Sequence, residues 1–319
     1  MKAIIRSEYG GPEMLRMAEL PRPMPGDDEI LVRVRAASVN AMDWRLLRGT
    51  PFPARLAAGG LRRPARTKLG HDFAGDVEAV GSNVTAFEAG DAVFGSGAGA
   101  FAEYVCARAT QVAPKPGNAT YAQAASVPVA AITALQALRD AGHAKSGQRV
   151  LLDGAAGGVG TFAIQIARTL GTTVTAVCSG TNAAQAAALG ADRVIDYTRE
   201  DFLHDDVRYD LVVGVNAHRS IFDYRCVLGP AGIYVLVGGG GPQLLQAFLL
   251  AKPLSLGRQR FRLHMARSNH DDLALLGRFL ADRTIVPAIE CHYGFDDVAR
   301  AIAHVERGHA RGKVVIDIA

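Results

Sequence analysis

Val150-Leu151-Leu152-Asp153 runs into Gly154-Ala155-Ala156-Gly157-Gly158-Val159-Gly160 and then into Thr161-Phe162-Ala163-Ile164-Gln165-Ile166-Ala167-Arg168. A short apolar strand, a glycine-rich turn and a helix follow one another here. That order brings backbone N–H groups and the positive end of a helix dipole up to a pyrophosphate, with no side chain in the way. Gly157 allows the backbone to approach the phosphates, and Gly160 allows the helix to pack tightly on the strand. Ala155 stands where the usual fingerprint has its first glycine, so the bare motif is imperfect, but its context is that of a dinucleotide site. The candidate cofactor-binding residues of the turn are Ala155, Ala156, Gly157, Gly158, Val159 and Gly160.

Roughly 20 residues beyond such a turn, NAD sites carry a carboxylate for the ribose hydroxyls. Here the second strand ends in Val177-Cys178-Ser179-Gly180-Thr181-Asn182, without an acid. Ser179 and Asn182 can hydrogen-bond a 2′-phosphate that a carboxylate would repel, which favours NADPH and leaves NADH as the other candidate. The loop holds no Arg or Lys, so balancing charge has to come from Arg193, Arg199 or Lys313. An ordinary polar loop that discriminates poorly is the competing reading.

Outward from this motif the chain changes register twice. Up to about Pro116, short β-type runs are punctuated by Gly and Pro, as in Ile30 to Arg35, Phe73 to Val80 and Ala102 to Val105. That half reads as a mainly antiparallel β domain. From Arg149 onward, apolar strands (Val150 to Leu152, Val174 to Val177, Arg193 to Ile195, Leu211 to Val213, Tyr234 to Val237) alternate with helical stretches (Thr161 to Leu170, Ala183 to Leu189). Such alternation implies right-handed crossovers and a doubly wound parallel sheet, an α/β fold. Past Lys252 come helices around Asp271 to Asp282 and Asp296 to Arg307, then a strand Lys313 to Ile318, expected to return to the first domain. The expected division is 1–117 completed by 257–319, and 118–256.

The 319 residues suggest about two domains by ordinary domain size, and 49% hydrophobic content rules out disorder. A net charge of +4, spread along the chain, implies no polyanion partner. The basic runs Arg62 to Lys68 and Arg258 to Arg262 have almost no interleaved aromatics and read as solvated faces rather than nucleic-acid platforms. Leu244 to Leu256 is too short to span a bilayer. Without a secretory pattern at Met1 to Arg6, the cytoplasm is the default location. Cys106, Cys178, Cys226 and Cys291 fit neither a disulfide framework nor paired zinc-ligand spacing, and read as scattered, mostly buried thiols.

Several further stretches carry a family resemblance. Ser38-Val39-Asn40-Ala41-Met42-Asp43-Trp44-Arg45, Gly70-His71-Asp72-Phe73-Ala74-Gly75, the glycine turn, Leu189 to Tyr197 and Gly308 to Val315 resemble the medium-chain dehydrogenase/reductase superfamily, in its zinc-independent quinone oxidoreductase branch. The resemblance covers essentially the whole chain. It implies a GroES-like β-rich catalytic domain, a Rossmann domain, an NADPH-lined cleft between them and a homodimer. It also implies cofactor contacts from Thr133, Tyr197, Asn216, Val237, Gly238, Gly239 and Lys313. Plain structural roles compete for Thr133 (helix), Tyr197 (exposed strand end) and Lys313 (solvated strand start). Gly214 falls where relatives often carry Asp.

In the zinc alcohol dehydrogenases of this superfamily, Cys occupies the position of Asn40 and Glu that of Asp72. Loss of the thiolate removes the strongest ligand, so no catalytic zinc is expected, and His71 reads as a hydrogen-bonded histidine, with a lone ligand or a proton donor as its other readings. Without a metal, hydride transfer is easiest onto a conjugated acceptor, a quinone or an α,β-unsaturated carbonyl. Asn40 and Arg45 are the candidate donors to the developing oxyanion, with Asp43 holding Arg45 or joining a proton relay. Solvent is the expected proton source, because a guanidinium with a pKa above about 12 is a poor acid. Trp44, Phe52 and Phe94 are candidates for an apolar pocket, or equally for core. Two other readings stand beside this one: a redox-inactive NADPH-binding sensor or scaffold, and a zinc alcohol dehydrogenase.

Overall fold

The computed structural model describes residues 1–52, 54–204 and 206–318, and divides into two compact units, Met1–Ala130 with Ser268–Ala319 and Ala131–Arg267. Strands of the first unit are β1 (Lys2–Ile5), β2 (Arg16–Glu19), β3 (Glu29–Val39), β4 (Asp72–Val80), β5 (Ala92–Ser96), β6 (Tyr104–Arg108) and β7 (Val112–Pro114). The second unit holds β8 (Arg149–Asp153), β9 (Thr173–Cys178), β10 (Arg193–Asp196), β11 (Tyr209–Gly214), β12 (Leu228–Leu236) and β13 (Arg260–Leu263). The chain then returns to the first unit for β14 (Ile289–Gly294) and β15 (Lys313–Asp317).

The long strand β3 is the hub of the first unit. Its Ile30, Val32 and Val34 are buried at alternate positions, as the pleat requires. It pairs antiparallel with β4, β6 and β15, in a sheet of order β14-β15-β3-β4-β5-β7 with β6 joined to β3. Phe73, Phe101 and Leu47 fill the core beneath, together with Val298 and Ile302 of the helix Val298–Glu306. Phe94 is fully buried as well, outside that cluster, whereas Phe52 is 62% exposed, and Trp44 packs at the edge of the core.

The second unit is a parallel sheet of order β10-β9-β8-β11-β12-β13. From β8 the chain builds outward through β9 and β10 on one side, then restarts at β11 on the other. The point of reversal lies between the C-terminal ends of β8 and β11, where open α/β sheets bind their ligands. Strand β8 is buried from Val150 to Asp153 because helices cover both faces.

Several expectations are corrected. Arg260–Leu263 is the sixth strand of the sheet: Phe261 is buried, and Arg262 donates to the Ala141 carbonyl oxygen (2.5 Å) and contacts His143 Nε2 (2.9 Å). That stretch is thus an edge strand, although Arg258 and Arg260 stay exposed as a solvated face requires, and the second unit extends to Arg267 instead of ending at 256. At the other boundary, helix Tyr121–Ala125 packs against β3 and β4, which keeps it in the first unit. Of the four unpaired cysteines only Cys178 is buried; Cys226 is exposed. No helix among the described residues is long and apolar enough to cross a membrane.

Candidate active site and cofactor-binding turn

The turn after β8 has the backbone that the sequence demands. Gly154 takes φ +88°, a left-handed conformation. A Cβ on Gly160 would stand 2.3 Å from the Gly154 carbonyl oxygen, so only glycine lets the helix Gly158–Thr169 come this close. Gly157 differs: a Cβ there would meet nothing nearer than the same oxygen at 3.9 Å. No protein packing demands glycine at 157, and the open space above it lies at the helix N-cap, where the first helical N–H groups have no intrahelical acceptors. Ala156, Gly158 and Val159 are half-buried around it. Ala155 is corrected to a scaffold role, since its methyl is buried and its N–H donates to the Val177 carbonyl (3.1 Å).

Asn216 closes the other side of the reversal point. Its N–H donates to the Asp153 carbonyl (3.3 Å), and its Cβ would lie 2.9 Å from a Cβ on Gly154. Beneath them the Asp153 carboxylate accepts the Tyr224 hydroxyl. Burial pushes Asp153 above the usual carboxylate range, and the Tyr224 hydrogen bond only partly offsets it. Tyr224 stacks on Tyr234 at 4.5 Å between centroids. The Tyr234 hydroxyl would stand 2.8 Å from a Cβ on Gly214, which is why this chain has glycine there. None of this aromatic stack was visible in local sequence patterns.

Val237, Gly238 and Gly239 follow β12, but much of their backbone is already committed. The N–H groups of Val237 and Gly238 donate to Gly214 O (2.9 and 3.2 Å), and the Gly238 carbonyl accepts from Ala217 (3.0 Å). The expectation that these groups reach a carboxamide is corrected to that extent. Thr133 is buried in the helix Pro128–Gln136.

The loop after β9 holds Ser179 and Asn182 together, with Asn182 Nδ2 donating to Ser179 Oγ (3.0 Å). Asn182 Oδ1 is buried without a hydrogen-bond partner, an acceptor left unsatisfied. Tyr197 is 55% exposed beside them. The loop itself holds no acid, but one reaches it from the neighbouring strand: Asp196, ending β10, comes so close that a Cβ on Gly180 would meet its Oδ2 at 2.3 Å. Hydrogen bonds from Thr198 and Gly180 and the Arg199 charge outweigh partial burial and hold Asp196 below the usual carboxylate range. Arg199 Nε lies 3.7 Å from Asp196, and Arg193 pairs with Glu200 at 3.9 Å.

In the first unit the polar residues of two motifs meet in one buried network. Asp72 is fully buried; its Oδ2 accepts from Ser38 Oγ (3.0 Å) and Asn40 Nδ2 (2.8 Å), and its Oδ1 from the Val129 N–H (3.0 Å). Lys313, 2% exposed, donates to Asn40 Oδ1 (2.7 Å) and lies 3.5 Å from Asp72. The solvated reading of Lys313 is therefore corrected. Its ammonium neutralises a carboxylate inside the first unit. Burial lowers the Lys313 pKa and raises that of Asp72, each opposed by the other's charge.

A second pair adjoins the first. Asn40 caps the helix Ala41–Arg48, and its backbone N–H donates to Asp43 Oδ2 (2.7 Å). Asp43 is fully buried and turns Oδ1 to His71 Nδ1 (3.2 Å), whose side chain is 26% exposed. Burial opposes the charged imidazole, but the Asp43 hydrogen bond and the charges of Asp43 and Asp72 prevail and raise the His71 pKa. Asp43 thus holds His71, not Arg45. Arg45 lies over the Trp44 ring at 5.3 Å, and burial lowers its pKa. Sequence reasoning weighed His71 as a proton donor without placing it at the site and missed Asp72, although their adjacency in Gly-His-Asp was the available signal.

Residues 26–117 match the family described as alcohol dehydrogenase GroES-like domain, and residues 189–316 the one described as zinc-binding dehydrogenase. A 2-methylene-furan-3-one reductase of Solanum lycopersicum is 32% identical over 99% of this chain and 79% of its own length. The quinone oxidoreductase from Coxiella burnetii superposes with a TM-score of 0.90 at 33% identity, over 100% of this chain and 99% of that one. A mycobacterial protein solved in complex with NADPH superposes at 0.81 with 28% identity, over the full length of both chains. The chain belongs to the medium-chain dehydrogenase/reductase superfamily, in its quinone oxidoreductase-like branch.

Proposed function

We propose that this protein uses NADPH to reduce a quinone or the activated double bond of an α,β-unsaturated carbonyl, without a catalytic zinc. The observation that carries the reading is the turn after β8, where glycine at 157 answers to no protein neighbour and sits at a helix N-terminus. A pyrophosphate fits that cradle. The mycobacterial neighbour's NADPH supports the choice of dinucleotide. The tomato enone reductase and the Coxiella quinone oxidoreductase support the acceptor class.

When bound, the cofactor supplies hydride. Ala156, Gly157, Gly158 and Val159 would hold its pyrophosphate, Ser179, Asn182 and Tyr197 its adenosine end, and Thr133 and Asn216 its nicotinamide end. Asn40 gives one amide hydrogen to Asp72 and keeps the other for the substrate oxygen that becomes negative. Arg45 is the proposed second donor, and it stays charged. Asp43 fixes Nδ1 of His71, so Nε2 is the acid that completes the reduction. This replaces solvent as the expected proton source.

The donor set near His71 does not suit zinc. A catalytic zinc needs three protein ligands and an open position. Asn40 brings no thiolate, and its amide oxygen is already held by the Lys313 ammonium.

A second copy of this chain is the proposed partner. Strand β13 is an edge of its sheet, and Leu245, Phe248 and Leu249 of the neighbouring helix Gly241–Leu254 are 58%, 76% and 58% exposed. An apolar patch beside an open edge supports a homodimer. Four cysteines without disulfides support a reducing compartment, the cytoplasm.

The deciding experiment follows NADPH oxidation by near-ultraviolet absorbance with a panel of quinones and enones. Acceptor-dependent oxidation is expected. No turnover with any of them, in protein shown to be folded, overturns the reading.

A further inference from the structure

Among the described residues, one group of three metal-ligating side chains converges: Glu290, Cys291 and His304, with ligand atoms all within 4.8 Å of one another. Adjacent residues of a regular strand point to opposite faces. Here the register of β14 on β15 slips between Ile289, paired with Lys313, and Cys291, paired with Val314. Glu290 is thus the extra residue of a bulge, and a bulge re-aims side chains. Helix Val298–Glu306 supplies the third donor.

We infer that Glu290, Cys291 and His304 form a zinc-binding site on the first unit, separate from the Asn40–Asp72–Lys313 network. The donor chemistry selects the ion: a thiolate and an imidazole beside one carboxylate suit Zn²⁺, whereas Mg²⁺ and Ca²⁺ take oxygen donors. Tetrahedral zinc with bonds of about 2.0–2.3 Å places its ligands about 3.3–3.6 Å apart. His304 Nε2 and Glu290 Oε2 are 3.0 Å apart already, so side-chain adjustments of about an ångström close the site around an ion. The carboxylate is pre-oriented, because the Arg311 N–H also donates to Glu290 Oε2 (2.8 Å). Side-chain exposures of 21% for His304 and 23% for Glu290 admit an ion while holding both groups in place. Three protein ligands leave the fourth position to water.

Binding releases the Cys291 thiol proton to solvent and moves the imidazole proton from Nε2 to Nδ1. Arg307 Nη2 faces that Nδ1 at 3.3 Å and is itself a donor. It opposes the tautomer zinc requires, and removing it should tighten the site. The ion would cross-link β14 to the helix that covers it.

The test uses the full chain, stripped with a chelator and titrated with Zn²⁺ against a chromophoric competitor. One zinc per chain at micromolar affinity or better is expected, with Cys291→Ser and His304→Ala each weakening it tenfold or more and Arg307→Gln tightening it several-fold. Co²⁺ substitution should give a near-ultraviolet thiolate-to-metal band that is absent in Cys291→Ser. Circular dichroism of each variant separates loss of the site from loss of the fold. No binding by wild-type protein, or wild-type affinity or a surviving thiolate band in folded Cys291→Ser, overturns the inference. Turnover with NADPH does not enter the readout, so the result stands apart from the proposed activity.

Discussion

Lys313 Nζ donates to Asn40 Oδ1 across 2.7 Å, joining the first residue of β15 to the N-cap of a helix 273 positions earlier in the chain. The ammonium thereby fixes which way the Asn40 amide faces: oxygen toward Lys313, nitrogen toward Asp72. Replacing Lys313 with Met leaves Asp72 buried without its cation. Breaking such a pair costs about 3–5 kcal/mol, read as a shift in urea unfolding. Adding Asp72→Asn should recover part of that loss, and a double variant as unstable as the sum of the two would refute the pairing.

The two glycines of the turn should respond differently. Gly160→Ala forces a Cβ to 2.3 Å from Gly154 O and is expected to lower the melting temperature. Gly157→Ala meets only an atom at 3.9 Å, so the fold should survive while NADPH affinity falls at least tenfold, measured by fluorescence titration. Unchanged affinity in Gly157→Ala would remove the phosphate from that cradle.

The pH dependence of stability follows from His71, whose pKa lies above 6.5 in the folded state. A group so raised contributes its full stabilisation below the ordinary imidazole range and loses it as pH climbs through the folded-state value. Wild-type stability should therefore decline over that window relative to His71→Gln. The rate of enone reduction should fall over the same range and lose that dependence in the variant. Parallel pH profiles for the two proteins would refute the dyad.

Asp196 carries negative charge beside the loop that would receive the adenosine ribose. Asp196→Asn is expected to raise the ratio of kcat/KM for NADPH to that for NADH several-fold, by removing repulsion of the 2′-phosphate. An unchanged ratio would place that phosphate elsewhere.

Phe248→Glu, in the exposed helix face beside β13, should convert the protein to a monomer in light scattering while circular dichroism stays unchanged. A wild-type mass for the variant would move the interface to another surface.

The elements legible in sequence were those encoded by neighbours in the chain. Val150 to Gly160 states its strand, turn and helix locally, and Lys313 to Ile318 reads as a strand from its β-branched run. What those residues touch was not local. The ammonium of Lys313 became buried only because β15 pairs with β3, and Asp196 reaches Gly180 only because β10 lies beside β9. Arg260–Leu263 did not read as a strand because its arginines look solvated, as Arg260 is, and only the edge position in the sheet buries the Phe261 ring between them. The Tyr224–Tyr234 stack joins a helix to a strand, so no window of sequence contained it.

The return of the chain to pair β15 with β3 also orders events on the ribosome. Residues 131–267 are contiguous and can fold as soon as they emerge, as domains generally do. Residues 1–130, although made first, must wait with the Ala36–Val39 end of β3 unpaired, on the side where β6 covers only Glu29–Arg33, until residues 289–317 arrive. The half of the molecule proposed to handle substrate is thus the last to be finished, and an N-terminal fragment would expose that open edge to whatever chaperone or neighbour reached it first.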